Sequence, residues 1–118
     1  MNDKNLLGYS NIFYRKPRNC IECKEREIYI EYYSEKLISK IRLRQINRTI
    51  DEFLIFLKAK FNHSVVKSIT SEEIQEYIKY IKNKTDNGTK TKDMKIFTIK
   101  KWIIWMKNNN FINKDINI

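Results

Sequence analysis

Two groups of cations are set apart by their type and spacing. Lys40, Arg42, Arg44 and Arg48 occur together with no acid among residues 40–48, and Lys90, Lys92, Lys95 and Lys100 form a second group. Their chemistry is phosphate recognition. Each lysine or arginine that neutralises a backbone phosphate of duplex nucleic acid releases counterions, so binding falls steeply with salt. An arginine in a helix's first turns can also reach a guanine edge in the major groove, worth about 1–3 kcal/mol of discrimination for a good bidentate pair.

Other reactive side chains are few. Cys20 and Cys23 make one C-x-x-C, and His63 is the only histidine. A zinc site needs about four ligands, so this set reads as two reduced thiols in an arm. A knuckle completed by another chain is the alternative. His63 itself reads as a solvated loop residue. None of the seven tyrosines is assigned as a nucleophile, because no arginine–histidine constellation accompanies them. The sequence therefore predicts no catalytic residue, no metal and no cofactor.

Bulk properties point the same way. The net charge is +10, from 24 Lys+Arg against 14 Asp+Glu, which suits a polyanionic partner such as nucleic acid or an acidic membrane surface. Lysine is the chain's default polar residue, so position carries more weight than the sum. Residues 1–24 hold five cations against two acids, and residues 86–118 hold seven against three, so the charge is concentrated toward both ends. The opening MNDKNLLGYS has no apolar run of the secretory kind. No window of about 18 apolar residues exists to span a membrane. A cytoplasmic protein with reduced thiols is the expectation.

With 118 residues, 42% of them hydrophobic, the chain suits a single packed domain. Two glycines and one proline are too few for an all-β fold, so the elements positioning the cations should be helices. Residues 1–24 read as a basic, flexible arm, extended or poorly ordered, carrying Tyr9, Phe13, Tyr14, Arg15, Lys16, Pro17 and Arg18. A helix over about 25–39 is predicted from Tyr29, Tyr32, Tyr33 and Leu37, with Glu25 and Glu27 at its dipole-favoured start. A second over about 42–60 follows from Ile46, Ile50, Phe53, Leu54 and Leu57. If that helix reaches back to residue 40, Lys40, Arg44 and Arg48 share a face. Thr70 and Glu73 have capping-box spacing, with Ile69 and Ile74 placed as a staple. The helix they begin should carry Ile74, Tyr77, Ile78 and Ile81 and end near Lys84, before the turn Asp86-Asn87-Gly88. A fourth helix, from near Thr91 to Asn108, buries Ile96, Ile99, Trp102, Ile103 and Met106. Met94, Phe97, Ile104 and Trp105 lie off that stripe, so the helix is either central or meets a partner. Trp102 and Trp105 read as core packing rather than a base-stacking platform. Asparagines 108–110 should end the helix, Phe111 and Ile112 fold back, and residues 113–118 form a frayed tail. The fold class is thus all-α, a small orthogonal four-helix bundle over residues 25–112.

The order of motifs resembles the core-binding domain of tyrosine recombinases, the phage integrase family. Ile50-Asp51-Glu52-Phe53-Leu54-Ile55-Phe56-Leu57 is similar to that domain's "L..F..FL" helix, and SITSEEIQEYIKYI to its I-T-x-x-x-I-x-x-Y-L segment. TKDMKIFTIKKWIIWMKNNNFI is similar to its T-x-x-x-x-L-x-x-L-R-x-F-Y-x-F-L helix. The likeness covers roughly residues 25–116. It departs at Arg42 and Ile46, where the family often has Ser/Thr and Tyr, and at Asp115-Ile116, where it has Asn-Pro. The resemblance implies a SAM-like domain forming half of a clamp on double-stranded DNA. The family's catalytic domain, with its arginines and nucleophilic tyrosine, has no counterpart in these residues. The expectation is an N-terminal half that is no enzyme by itself, working with a catalytic domain of the same parent chain and with other protomers on DNA. The facing positions it implies are Arg42, Arg44 and Arg48 on the second helix and Lys90, Thr91, Lys92, Lys95 and Lys100 on the fourth.

Two other classes fit the same residues. One is a helix-turn-helix-like regulator that dimerises on a two-fold-symmetric site. The other is a helical adaptor for an acidic protein, its lysines forming a solvated face.

Overall fold

A computed structural model of the protein describes residues 23–36, 38–63, 65–84 and 88–117. The basic arm, with Cys20, lies outside the described residues, as do Leu37, Asp86 and Asn87. The described residues are all-helical, without a strand. Helix α1 is Lys24–Ser34, α2 Lys40–Phe61, α3 Ser71–Lys82 and α4 Thr89–Asn108, with a 3-10 turn at Val66–Ser68 before α3. Among the described residues no helix is long and apolar enough to cross a membrane.

Local chemistry sets the helix ends. α1 stops at Ser34, short of the expected residue 39, because Ser39 is needed in an extended conformation (φ −67°, ψ 152°) to cap α2. The Ser39 hydroxyl accepts a hydrogen bond from the Arg42 N–H at 3.0 Å, so α2 does reach back to Lys40. At the far end of α2, Asn62 adopts the left-handed conformation (φ 56°) and returns its N–H to the last-turn carbonyls. The Thr70–Glu73 capping box is fully formed: Thr70 Oγ1 accepts from Glu73 N–H at 3.2 Å, and Glu73 Oε1 accepts from Thr70 N–H at 2.9 Å. Gly88 lies extended ahead of α4, and its carbonyl accepts from Lys92 N–H at 3.0 Å, so α4 begins two residues before Thr91. Asn110 (φ 63°) ends α4, with Phe111 N–H on Met106 O at 2.9 Å and Asn110 N–H on Lys107 O at 3.2 Å. That pairing is a Schellman motif.

The apolar stripes of α2, α3 and α4 bury together with Tyr29 and Ile30 of α1. Trp102 is fully buried, its ring 6.3 Å from Phe53 and 6.4 Å from Tyr29. Trp105 is half-buried between α1 and the turn after α4, 5.1 Å from Tyr29 and 5.4 Å from Phe111. Three sequence expectations give way to packing. Cys23 is buried rather than part of an arm, and burial pushes its thiol up to about 12, which makes it inert. Ile116 is buried rather than frayed, because Lys107 Nζ donates to its carbonyl at 2.7 Å and Asn117 N–H to Ser71 Oγ at 2.8 Å. His63 is tucked against α3 rather than solvated. Its Nε2 lies 2.7 Å from Glu73 Oε1 and its Nδ1 3.1 Å from Ser68 Oγ, since the turn at Asn62 folds it back.

One ion pair enters the interior. Arg26 of α1 holds Asp51 of α2, both nearly buried. Burial pushes the Asp51 carboxyl up to about 7, opposite to the pull of the guanidinium beside it. A carboxyl raised on folding stabilises most below its unfolded value and loses that contribution as pH rises through its folded value. Arg26→Met removes the compensating charge and raises the carboxyl further. Urea unfolding should show a loss of about 3–5 kcal/mol near pH 8 and a smaller one near pH 5, with Asp51→Asn removing most of that pH dependence. Trp102→Ala, which empties the middle of the core, should cost about 3–5 kcal/mol in the same measurement.

Candidate nucleic-acid interface

The seam between α2 and α4 brings part of the two cation groups together. Gln45, Arg48, Thr49 and Glu52 of α2 and Met94 and Lys95 of α4 line a groove of about 240 Å³. Further along, Arg42 and Ile46 of α2 meet Thr98 and Lys101 of α4, with Tyr29, Tyr33 and Ile38, around a smaller cavity of about 80 Å³. The two helices therefore run in opposite senses across the seam. Their cationic beginnings stand at its two ends rather than side by side. What lines up is a row: Arg42 with Lys101, then Arg48 with Lys95.

Glu52 is the only carboxylate among these lining residues. Its Oε2 accepts from Lys95 Nζ at 3.0 Å and lies 3.9 Å from Lys84 Nζ. One acid shared by two lysines leaves the row net positive and orients Lys95 across the seam.

The remaining candidates lie apart from this row. Lys92 turns toward α3, donating from Nζ to Lys82 O at 3.0 Å, where it caps the helix end. Lys100 is five residues past Lys95, about 140° round the helix, and exposed on another face. Arg44 stands two turns before Asp51, on the side of α2 that α1 covers. Lys40, Lys90 and Thr91 are exposed in the first turns of their helices. Phe97 and Ile104, 57% and 48% exposed, form an apolar pair on the outward side of α4, two turns apart.

Sequence reasoning left Lys101, Thr98, Tyr29 and Tyr33 out of the candidate set. Lys101 Nζ lies 5.4 Å from the centre of the Tyr33 ring and 5.6 Å from that of Phe97. Thr98 was legible as a hydroxyl interrupting the buried stripe of α4, but nothing in one sequence says what it faces. Burial raises the Tyr33 phenol, yet hydrogen bonds from Tyr29 and Lys101 outweigh it and hold Tyr33 below the usual tyrosine range. Tyr29 moves the opposite way, raised by its own burial. No group of three or more histidine, cysteine, aspartate or glutamate side chains placed to hold a metal occurs among the described residues.

Comparison with family models, with curated proteins and with solved structures returns no match.

Tyr33 should therefore be the first of the described seam tyrosines to ionise in an ultraviolet phenolate titration. Lys101→Met should move that ionisation to higher pH, because it removes the nearest cation and donor. An unmoved titration would show that Lys101 does not face the Tyr33 oxygen.

Proposed function

We propose that this chain binds double-stranded DNA through the α2–α4 seam, as the core-binding domain of a tyrosine recombinase. The observation that supports it is the row Arg42–Lys101 and Arg48–Lys95 along one seam, with Glu52 as the sole lining acid among the described residues. Arg42 and Arg48 are six residues apart, about 9 Å along α2 and about 120° round it, which suits two separate phosphate contacts on one duplex. Strand cleavage would belong to a catalytic domain elsewhere in a parent chain, with other protomers assembling on the same DNA. In that role this part of the chain grips and positions the duplex and is no enzyme by itself.

A helical adaptor is the second reading, favoured by the exposed Phe97 and Ile104 with Lys100 and Lys101 beside them. An acidic amphipathic partner would suit that surface.

The test is a fluorescence-anisotropy titration of a labelled duplex across a salt series. Binding should weaken with salt, and Arg48→Gln should flatten the slope of log K against log salt by about 0.9. Lys67→Gln, on the 3-10 turn, should leave it unchanged. Absence of salt-dependent binding at low ionic strength overturns the DNA reading. An unaffected Arg48→Gln variant overturns the seam as the place of contact.

A further inference from the structure

We propose that the small cavity between α1, the start of α2 and the middle of α4 is a seat for one tetrahedral oxyanion, a phosphate group. This deepens the DNA reading by saying where a phosphate sits, but it can succeed or fail separately.

Size is the first argument. The cavity holds about 80 Å³. A water claims about 30 Å³ of liquid, so the space accepts two or three such groups, about the bulk of a phosphate and too little for a nucleoside.

Its lining is the second. Arg42 and Lys101 supply two cations from opposite walls, and among the described residues no carboxylate lines the cavity. Arg42 is half-buried, and charges at partly buried positions are screened less than fully exposed ones. Ser39 caps the first turn of α2 beside it, and that turn contains no acid, so the positive end of a 22-residue helix adds to the field. Lys36 contributes further positive potential at Tyr33.

The cavity also borders an orphaned donor. Thr98 is only 3% exposed, lines the cavity, and its Oγ1 has no hydrogen-bond partner among the described residues. A helical threonine ordinarily satisfies itself on the carbonyl four residues back. Thr49 does so here, donating to Gln45 O at 2.9 Å, whereas Thr98 does not. A buried unmade hydroxyl bond costs stability, and an oxyanion would supply the acceptor. Tyr33 complements it. Its phenol lines the same cavity and supplies one further O–H. Arg42, Lys101, Thr98 and Tyr33 thus line one cavity, and Ile38 and Ile46 give it apolar walls.

The test uses the full chain and inorganic phosphate, titrated by isothermal calorimetry against chloride at matched ionic strength. Saturable one-to-one binding is expected. Thr98→Val, which removes only the hydroxyl, should weaken it about tenfold without lowering the melting temperature. Tyr33→Phe should weaken it similarly, and Lys67→Gln should not. Duplex DNA is the second arm. If the seat takes a backbone phosphate, Thr98→Val also weakens duplex binding and phosphate competes with the duplex beyond its ionic strength. If it takes a free or small-molecule phosphate, the duplex titration is unchanged by Thr98→Val. Phosphate binding no better than chloride, or a Thr98→Val variant equal to the parent, overturns the seat. Duplex binding that persists in that case leaves the DNA reading standing, and phosphate binding without duplex binding leaves the seat standing alone.

Discussion

Burial of the α4 stripe against α2 is the constraint from which the rest follows. Ile99, Trp102, Ile103 and Met106 share one core with Ile46, Ile50, Phe53 and Leu54, and all are buried. Each such side chain contributes about 1.5–3 kcal/mol on leaving water. That packing fixes the rotation of both helices, and rotation decides which flanking residues meet. Arg48 is brought beside Lys95, and Arg42 beside Lys101. Two like charges about 4 Å apart in water repel by about 1 kcal/mol. A few buried apolar side chains outweigh that, so the core can impose a cationic seam on the surface. Glu52 softens the repulsion at one end by serving Lys95 and Lys84. At the other end the cations face tyrosine oxygens instead of a carboxylate.

The same interior tolerates polar groups unevenly. Arg26 and Asp51 compensate each other across α1 and α2. The Tyr77 hydroxyl, the Trp102 indole N–H and the Thr98 hydroxyl are buried with no hydrogen-bond partner among the described residues. The first two are deep in the packed core, where aromatic bulk justifies the loss. Thr98 differs in that it borders a cavity also lined by Arg42, Lys101 and Tyr33. Contrast between these groups, rather than any single one, separates a packing compromise from a place for a ligand.

Helix ends show how local and global instructions agree. The capping box at Thr70 also recruits His63, whose imidazole reaches the same Glu73 oxygen that accepts from the Thr70 N–H. One carboxylate therefore joins the α2–α3 connection to the start of α3. The tail after α4 is tied by Lys107 to Ile116, and by Ser71 to Asn117, which closes the bundle across α3 and α4. Neither link involves an apolar residue pattern, and both convert what reads as loop into structure.

The order of the helices was written in the sequence, and so was most of their extent, apart from the end of α1 at Ser34. Periodicity placed the stripes of α2, α3 and α4, and Thr70–Glu73 announced a helix start, because these signals are local and act within a turn or two. Cation spacing along α2 was equally legible, as was the choice of core for Trp102. Pairing across the seam was not. Lys92 and Lys95 are three residues apart and look alike in sequence, yet one caps α3 and the other reaches Glu52. Which lysine joins Arg48, whether Arg42 meets Lys101, and what Thr98 faces all depend on how two helices rotate against one another. That rotation is set by the complementary fit of many side chains from distant parts of the chain, so only the assembled tertiary structure could decide it.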